Sequence, residues 1–568
     1  MVPEESAGSS ASRWKFCPAV EIKTAVRLVL ASQHFPATVL SIVMQTFKKA
    51  STTAWRRSVY CGIAVTVCGL LVSESNEAQS IRFPWSGYGH ESQHDAIASV
   101  ASQPLNRILW HTPVDLNPQY SGSELFIHYG SPLITRSNTV IVPVKTGAAG
   151  GFEVEALTGA TGATNWVQST DYILPPHGWT PSFSPTLTPK NRLYFAGGGG
   201  TVYYYDTPDA TNISPAIGQI AFFGLTNYTA NTNAYLNNVF IDTPITSDRY
   251  GNIFFGFQVT GPTPLNLQSG IARIDYNGTG TWVAATNAAG DTGIIKVSQN
   301  CAPALSNDHK TLYVAVNNSN PYGDFYNYGY LVALDSRTLA PLARVRLKDA
   351  EYPADDAYVP DDATASPTVG PDGDVYYGVL ENPPGSNHYR GWLLHFDSTL
   401  AQPKVPGAFG WDDSASIVSA SLVSSYHGSS PYLLMTKYNN YADTGGNGVN
   451  KIAILDPRNS MTDPISGATV MNEVLTIAGT TPDSSFTNTY PNAVHEWCIN
   501  SAAVDPFTKS VLANNEDGKL YRWDLTSNTL SETNTLTSGL GEAYTPTLVG
   551  VDGIVYAINN ATLYAVGH

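Results

Sequence analysis

The sequence predicts an all-β fold: an eight-bladed β-propeller of four-stranded antiparallel blades, with the last blade closed by an N-terminal strand. Three observations carry this expectation. A short initiator segment recurs along the chain, each copy is followed by an apolar strand across a tight turn, and the final unit stops one strand short while a lone strand precedes the first. Composition agrees: 48 Gly, 37 Pro and 32 Tyr punctuate 568 residues of which only 13% are charged, the pattern of many short strands joined by turns.

The initiators read GSPLIT (130–135), FSPTLT (183–188), DTPITS (242–247), CAPALS (301–306), ASPTVG (365–370) and YTPTLV (544–549). Weaker copies, SASLVS (419–424) and NSAAVD (500–505), fill the one long gap. From Pro132 the steps to Pro185, Pro244, Pro303 and Pro367 are 53, 59, 59 and 64 residues, and the whole series makes eight units. A period of this length marks a repeat architecture built from one supersecondary element per unit.

Each initiator leads to a second, apolar strand such as TVIVPV, NIFFGF, TLYVAV or GIVYAI, through turns like GPDGD (370–374) and RYGN (249–252) that suit antiparallel connections. A third strand follows with a recurrent ending, as in FEVEALTGATG, YLVALDSRTL, WLLHFDSTL and KIAILDPRN, and then a fourth, more polar strand, as in ATNWVQS or PLARVRL. The last unit runs out after its third strand, TLYAVGH, and RILWHTP (107–113), of the outer-strand type, is predicted to complete it so that no blade edge stays open. In the first unit VEALT is expected as third strand, GATG as turn, and ATNWV as the start of the outer strand, with Trp166 against the next blade. GATG is no phosphate cradle, since no helix follows it; GGGG (197–200) reads as a flexible hairpin.

The domain plan is residues 1–43 as an upstream extension or disordered leader, 44–78 as a signal peptide, 79–104 as a linker, and 105–568 as the propeller. Basic Lys48, Lys49, Arg56 and Arg57 precede an apolar run, Val59 to Val72, that is shorter than the ~20 residues of a membrane span. The expected product is secreted, periplasmic or cell-surface, without a stable membrane span after cleavage, and monomeric. Residues 1–78 hold eight Lys/Arg and five Asp/Glu, so their removal takes the net charge from −16 to −19. Such an acidic body argues against nucleic acid, whose phosphates demand Lys and Arg. Outside the leader only Cys301 and Cys498 remain, too few for a disulfide scaffold; they read as two buried thiols, with a single bridge between them as the alternative.

With Ala-Leu, Thr-Gly and a following Trp in EALTGATGATNWV, and its first half again in LVALDSRTLAPLARV (331–345), the repeat resembles that of the pyrroloquinoline quinone (PQQ)-like propeller family. The resemblance spans about residues 105–568. It implies an axial site: quinoprotein alcohol dehydrogenases of that family hold PQQ and Ca²⁺ on the axis, whereas others, such as the propeller lipoprotein of the bacterial outer-membrane assembly machine, are non-catalytic. The dehydrogenases stack the quinone on an adjacent-cysteine disulfide, and this chain has neither a Cys-Cys pair nor a CxxCH haem motif. The expectation is therefore a non-catalytic binding or scaffold module for a protein, peptide or glycan, without a cofactor. The alternative is a divergent PQQ- and Ca²⁺-dependent dehydrogenase or other axial-site enzyme.

Connections entering the innermost strands, and those joining second to third strands, gather on one propeller face. The first set places His177, Trp179, Asp361, Asp362, Trp411, Asp412, Asp413, His495, Glu496, Trp497 and Glu542 near one rim. This set suits a divalent cation or acid–base pairs; the same side chains also serve as turn caps and inter-blade filling. The second set is long only in units four to six (317–330, 381–391 and 437–450) and carries Tyr322, Phe325, Tyr326, Tyr328, Tyr389, Tyr438 and Tyr441 among Asn and Gly. Such amphipathic rings suit a sugar or extended peptide, or simply decorate solvated loops. Asp355, Asp356, Asp361 and Asp362, in the acidic stretch 348–363, are the candidate metal ligands, though they lack the calcium-loop order and a solvated acidic lobe reads equally from them. No G-x-S-x-G, H-E-x-x-H or Walker A sequence occurs.

Overall fold

A computed structural model describes residues 84–568 apart from 122–123, 126–128, 149, 212–216, 320–324 and 542–543; the expected extension and signal peptide lie outside the described residues. Eight antiparallel sheets follow one another in chain order as blades 1 to 8. The second strands are buried along nearly their whole length, as in Thr139–Gly147 and Val555–Asn559. They are covered on both faces by neighbouring blades, which is why they read as unbroken apolar runs. Outer strands have one face in solvent, and Thr529–Thr535 alternates exposed with half-buried through all seven residues.

Blade 8 closes as the sequence predicts. Arg107–Pro113 pairs antiparallel with Thr562–Gly567, from Arg107 opposite Gly567 to Pro113 opposite Thr562. Trp110 of this strand reaches blade 1: its Nε1 donates to the Gly159 carbonyl at 2.7 Å. Gly162, at φ +70°, lies so close that a Cβ there would stand 2.6 Å from the Trp110 ring, so the turn of the TGATG stretch needs its glycine. Trp166 packs on blade 2 as expected, 5.1 Å from the Tyr205 ring, with Nε1 donating to the Pro208 carbonyl. The glycine hairpin 197–200 is also present, but buried beneath the short helices Leu225–Ala230 and Thr232–Leu236.

Three expectations are corrected. Blade 5 has an outer position formed only by single bridges, Leu393 to Gly407 and Phe396 to Pro403, because Pro403 and Pro406 supply no N–H to a ladder. In blade 6 the innermost strand is Ser416–Ser419, preceded by Ser414-Ala415, so the initiator is SASIVS (414–419); residues Ala420–Leu422 form a 3₁₀ turn. Finally, residues 84–104 are not a linker. Their carbonyls accept from the N–H groups of Ile134, Leu187, Leu305, Val369, Ile417 and Val504, which belong to six innermost strands, and Gln103 donates to Gly553 in blade 8. An innermost strand presents an unpaired edge to the axis, and this segment satisfies those edges while burying Trp85, Tyr88 and His94.

The initiators take part in a ring of hydrogen bonds joining each blade to the next, through the hydroxyls of Ser184, Ser366, Ser414 and Thr545 and through backbone groups elsewhere. Ser131 N donates to Ser184 Oγ, Ile245 N to the Ser184 carbonyl, and Asn300 N to the Asp242 carbonyl. Ala302 N then donates to Ser366 Oγ, Ser366 N to Ser414 Oγ, and Ser414 N to the Asn500 carbonyl. Thr547 N to the Ser501 carbonyl and Thr545 Oγ1 to the Tyr129 carbonyl complete the circle. At Ser184 and Ser366 the following proline keeps the residue extended with its hydroxyl on the neighbouring blade, whereas Ser131 and Thr243 donate theirs to the carbonyl of the proline that follows. Ser366→Ala would strand the buried Ala302 N–H and is expected to cost about 1–3 kcal/mol in denaturant unfolding; a cost within error of zero would show the ring to be incidental.

Candidate functional site

The face built from incoming connections and second-to-third-strand hairpins has a closed centre and an aromatic rim. At the centre, Trp179 from blade 2 reaches across the axis. Its N–H donates to Asp362 Oδ1 of blade 5 (3.3 Å), its carbonyl accepts from Gln299 Nε2 of blade 4 (3.3 Å), and its ring stands 5.9 Å edge-on from Tyr544 of blade 8. Asn300 spans the same space, accepting from Ser182 N and donating to the Ala363 carbonyl. From the opposite side the Tyr88 hydroxyl contacts the Thr364 carbonyl and Ser414 Oγ, each at 3.0 Å.

The carboxylates around this centre are largely engaged. Asp361, fully buried, takes Lys296 Nζ at 2.8 Å, Asn317 Nδ2 at 2.9 Å and Gln299 N at 3.0 Å. Asp412 accepts from Thr364 N (2.6 Å) and its Oγ1 (2.7 Å), with Lys437 Nζ 3.7 Å away. Asp413 accepts from Lys437 N and Thr436 Oγ1, and burial pushes its carboxyl up to about 6 against the pull of Lys437. Asp242 has no hydrogen-bond partner on either oxygen; burial, and secondarily the charge of Asp361, lifts it to about 7 although Lys296 opposes the shift.

The rim is aromatic. Phe325, Tyr326, Tyr358, Tyr389 and Trp411 come from blades 4, 5 and the connection to blade 6. Phe325 lies 5.2 Å from Trp411 and 5.0 Å from Tyr326, and Tyr326 lies 5.1 Å from Tyr358 with its hydroxyl 3.2 Å from that of Tyr389. Tyr326 is 49% exposed. The three loops carry two cations, Arg390 and Lys437, and both are buried, Arg390 against Asp463 (3.1 Å) and Lys437 near Asp412.

Sequence-predicted residues divide among these environments. Tyr326, Tyr389 and Trp411 meet in the rim cluster. Tyr328 lies beside it under the Arg346 guanidinium, 4.1 Å from its ring centre, and Tyr441 is half-buried, its hydroxyl accepting from Asn439 Nδ2. Tyr438 and Trp497 are buried: Arg390 stacks on Tyr438 at 4.8 Å, and Trp497 lies against Tyr521 with its backbone paired to Asn439, so both fill space between blades. His177 Nδ1 bonds the Pro175 carbonyl at 2.6 Å. His495 Nδ1 stands 3.1 Å from Glu516 Oε1, which also accepts from Glu496 N. Tyr322 and Glu542 lie outside the described residues.

The four candidate metal aspartates are not brought to one point. Asp356 is held below the usual carboxylate range by Arg346 (2.7 Å) and Lys348 (2.7 Å), Asp355 is exposed, Asp361 pairs with Lys296, and Asp362 caps Trp179 N. Sequence reasoning missed Lys296, Asp242, Tyr358 and Glu516. The lone lysine inside the apolar run GIIKV (293–297) was the available signal for the first; a buried cation there demands an acid.

No family model matches the chain, and no curated protein matches its sequence. Solved structures do match. A europium-containing methanol dehydrogenase is 8% identical with a TM-score of 0.50, covering 85% of this chain and 91% of its own. The quinohemoprotein alcohol dehydrogenase from Comamonas testosteroni is 10% identical (TM-score 0.49; 86% and 81% covered), and BamB from Moraxella catarrhalis 12% identical (0.40; 81% and 99%). The likeness to the methanol dehydrogenase shows the fold alone: this chain is an eight-bladed β-propeller. Fold alone does not carry chemistry. The described axial residues are a poor fit to PQQ and Ca²⁺, because Trp179 bonds from blade 2 to blades 4 and 5, Asn300 joins blade 4 to blades 2 and 5, and Tyr88 contacts blades 5 and 6, while Asp361 and Asp412 already have lysines beside them.

Proposed function

We propose that this chain is an exported, non-catalytic propeller that binds a neutral glycan on the aromatic rim of blades 4 to 6. The observation that carries the reading is the rim itself: half-exposed rings from separate blades, with amides nearby and both loop cations buried in ion pairs. Ring faces give apolar contact to a sugar at low entropic cost, and hydroxyl edges keep polar contacts. A phosphorylated or sulfated ligand would want the cations that this rim withholds. Export rests on the basic-then-apolar plan of residues 44–78.

Screening the secreted protein against neutral oligosaccharides and uncharged peptides, with intrinsic tryptophan fluorescence compared between the wild type and Trp411→Phe as readout, tests the reading. Binding to an oligosaccharide, weakened about tenfold or more by Tyr326→Ala or Tyr389→Ala, is the expected result. Peptide binding without sugar binding would replace the glycan by a protein segment. Dye-linked alcohol oxidation after loading with PQQ and Ca²⁺ would instead make the protein a divergent quinoprotein enzyme.

A further inference from the structure

We infer that blade 7 carries a zinc site, formed by Glu496, Cys498 and Glu516 and oriented by His495. Among the described residues these three offer ligand atoms, two carboxylate oxygens and a thiol sulfur, that all lie within 4.8 Å of one another. They come from two separate segments: the connection into Ala503–Asp505 and the hairpin between Ser510–Asn514 and Lys519–Asp524. Cys498 Sγ is already 3.2 Å from Glu516 Oε2. A tetrahedral zinc with ligands at about 2.0–2.3 Å sets its donors roughly 3.3–3.8 Å apart, so a small closure of Glu496 completes the triangle.

The surroundings favour a cation. Two carboxylates this close in a half-buried site repel each other, and desolvation strengthens the repulsion unless positive charge intervenes. His495 holds Glu516 Oε1 at 3.1 Å, and the backbone N–H of Glu496 fixes the same oxygen at 2.9 Å, leaving Oε2 turned toward the thiol. A histidine that orients a ligating carboxylate is a positioning residue. The sulfur donor decides the metal: two carboxylates alone would suit Ca²⁺, whereas a thiolate beside them selects zinc. Binding expels the Cys498 thiol proton as the Zn–S bond forms, so affinity rises with pH. With three protein ligands, the fourth position is open to water.

Titration of the metal-stripped full-length chain with Co²⁺ tests the site. The expected result is stoichiometric binding with a thiolate-to-cobalt charge-transfer band, displaced by Zn²⁺, lost in Cys498→Ser and unchanged in Cys301→Ser, whose thiol is buried in the core between blades. Absence of the band at saturating Co²⁺, or its persistence in Cys498→Ser, would overturn the inference. Should Cys498→Ser fail to fold, Glu496→Gln on a half-buried side chain carries the test: cobalt affinity falls at least tenfold if Glu496 is a ligand, and an unchanged affinity refutes it.

Discussion

Removing residues 107–113 lowers the melting temperature by roughly 5–10 °C and broadens the transition. The strand contributes six paired positions to blade 8, and ladder hydrogen bonds contribute about 1 kcal/mol each. Its loss also uncovers Thr562–Gly567 as an open edge, a template for association with other chains. Trp110 adds a separate contribution, because its indole reaches the Gly159 carbonyl that also accepts from Tyr556, tying blade 8 to blade 1. A permutant that carries the same seven residues after His568 through a short turn should restore the melt, since Arg107 already lies opposite Gly567. Differential scanning calorimetry of the three proteins decides the point: if deletion leaves the melt unchanged, ring closure does not hold the propeller.

The blade pattern was legible because each repeated feature has one physical cause that acts on every copy. Burial on both faces makes the second strands continuously apolar, the outer strands alternate because they meet water on one side, and the Ser-Pro steps at Ser184 and Ser366 place a hydroxyl against the neighbouring blade. The segment 84–104 escaped because it binds the innermost strands through its own carbonyls, and a backbone acceptor has no side-chain signature. Blade 6 was misplaced by five residues where Ala415 stands in the proline position and a second Ser-Ala-Ser follows at once. At the candidate site, residue types showed which loops share a face, but partnership was invisible. Nothing adjacent in sequence reveals that Asp356 faces Arg346 and Lys348, or that Glu516 sits beside His495 and Cys498.

Lys296→Met is expected to be among the most damaging single substitutions, at about 3–5 kcal/mol near pH 8. Methionine keeps the volume but leaves Asp361, fully buried, without the ammonium 2.8 Å from it, and Asp242 without the one cation that lowers its pKa. The cost should depend on pH in a defined direction. Burial raises Asp242 to about 7 in the folded protein, well above an unfolded aspartate, so the native state binds the extra proton between about pH 4 and pH 7. That contribution is fully present below the unfolded value and is lost as pH rises through the folded one. Without Lys296 the Asp242 carboxyl shifts further upward, so the variant is penalised more at pH 8 than at pH 5.5. Asp242→Asn, which removes the titrating charge, should raise stability above pH 7 and recover part of the loss in the double variant. Thermal unfolding of the four proteins at the two pH values tests the coupling. An equal penalty for Lys296→Met at both would mean that the lysine serves packing and hydrogen bonding, and that the axial carboxylates do not share its charge.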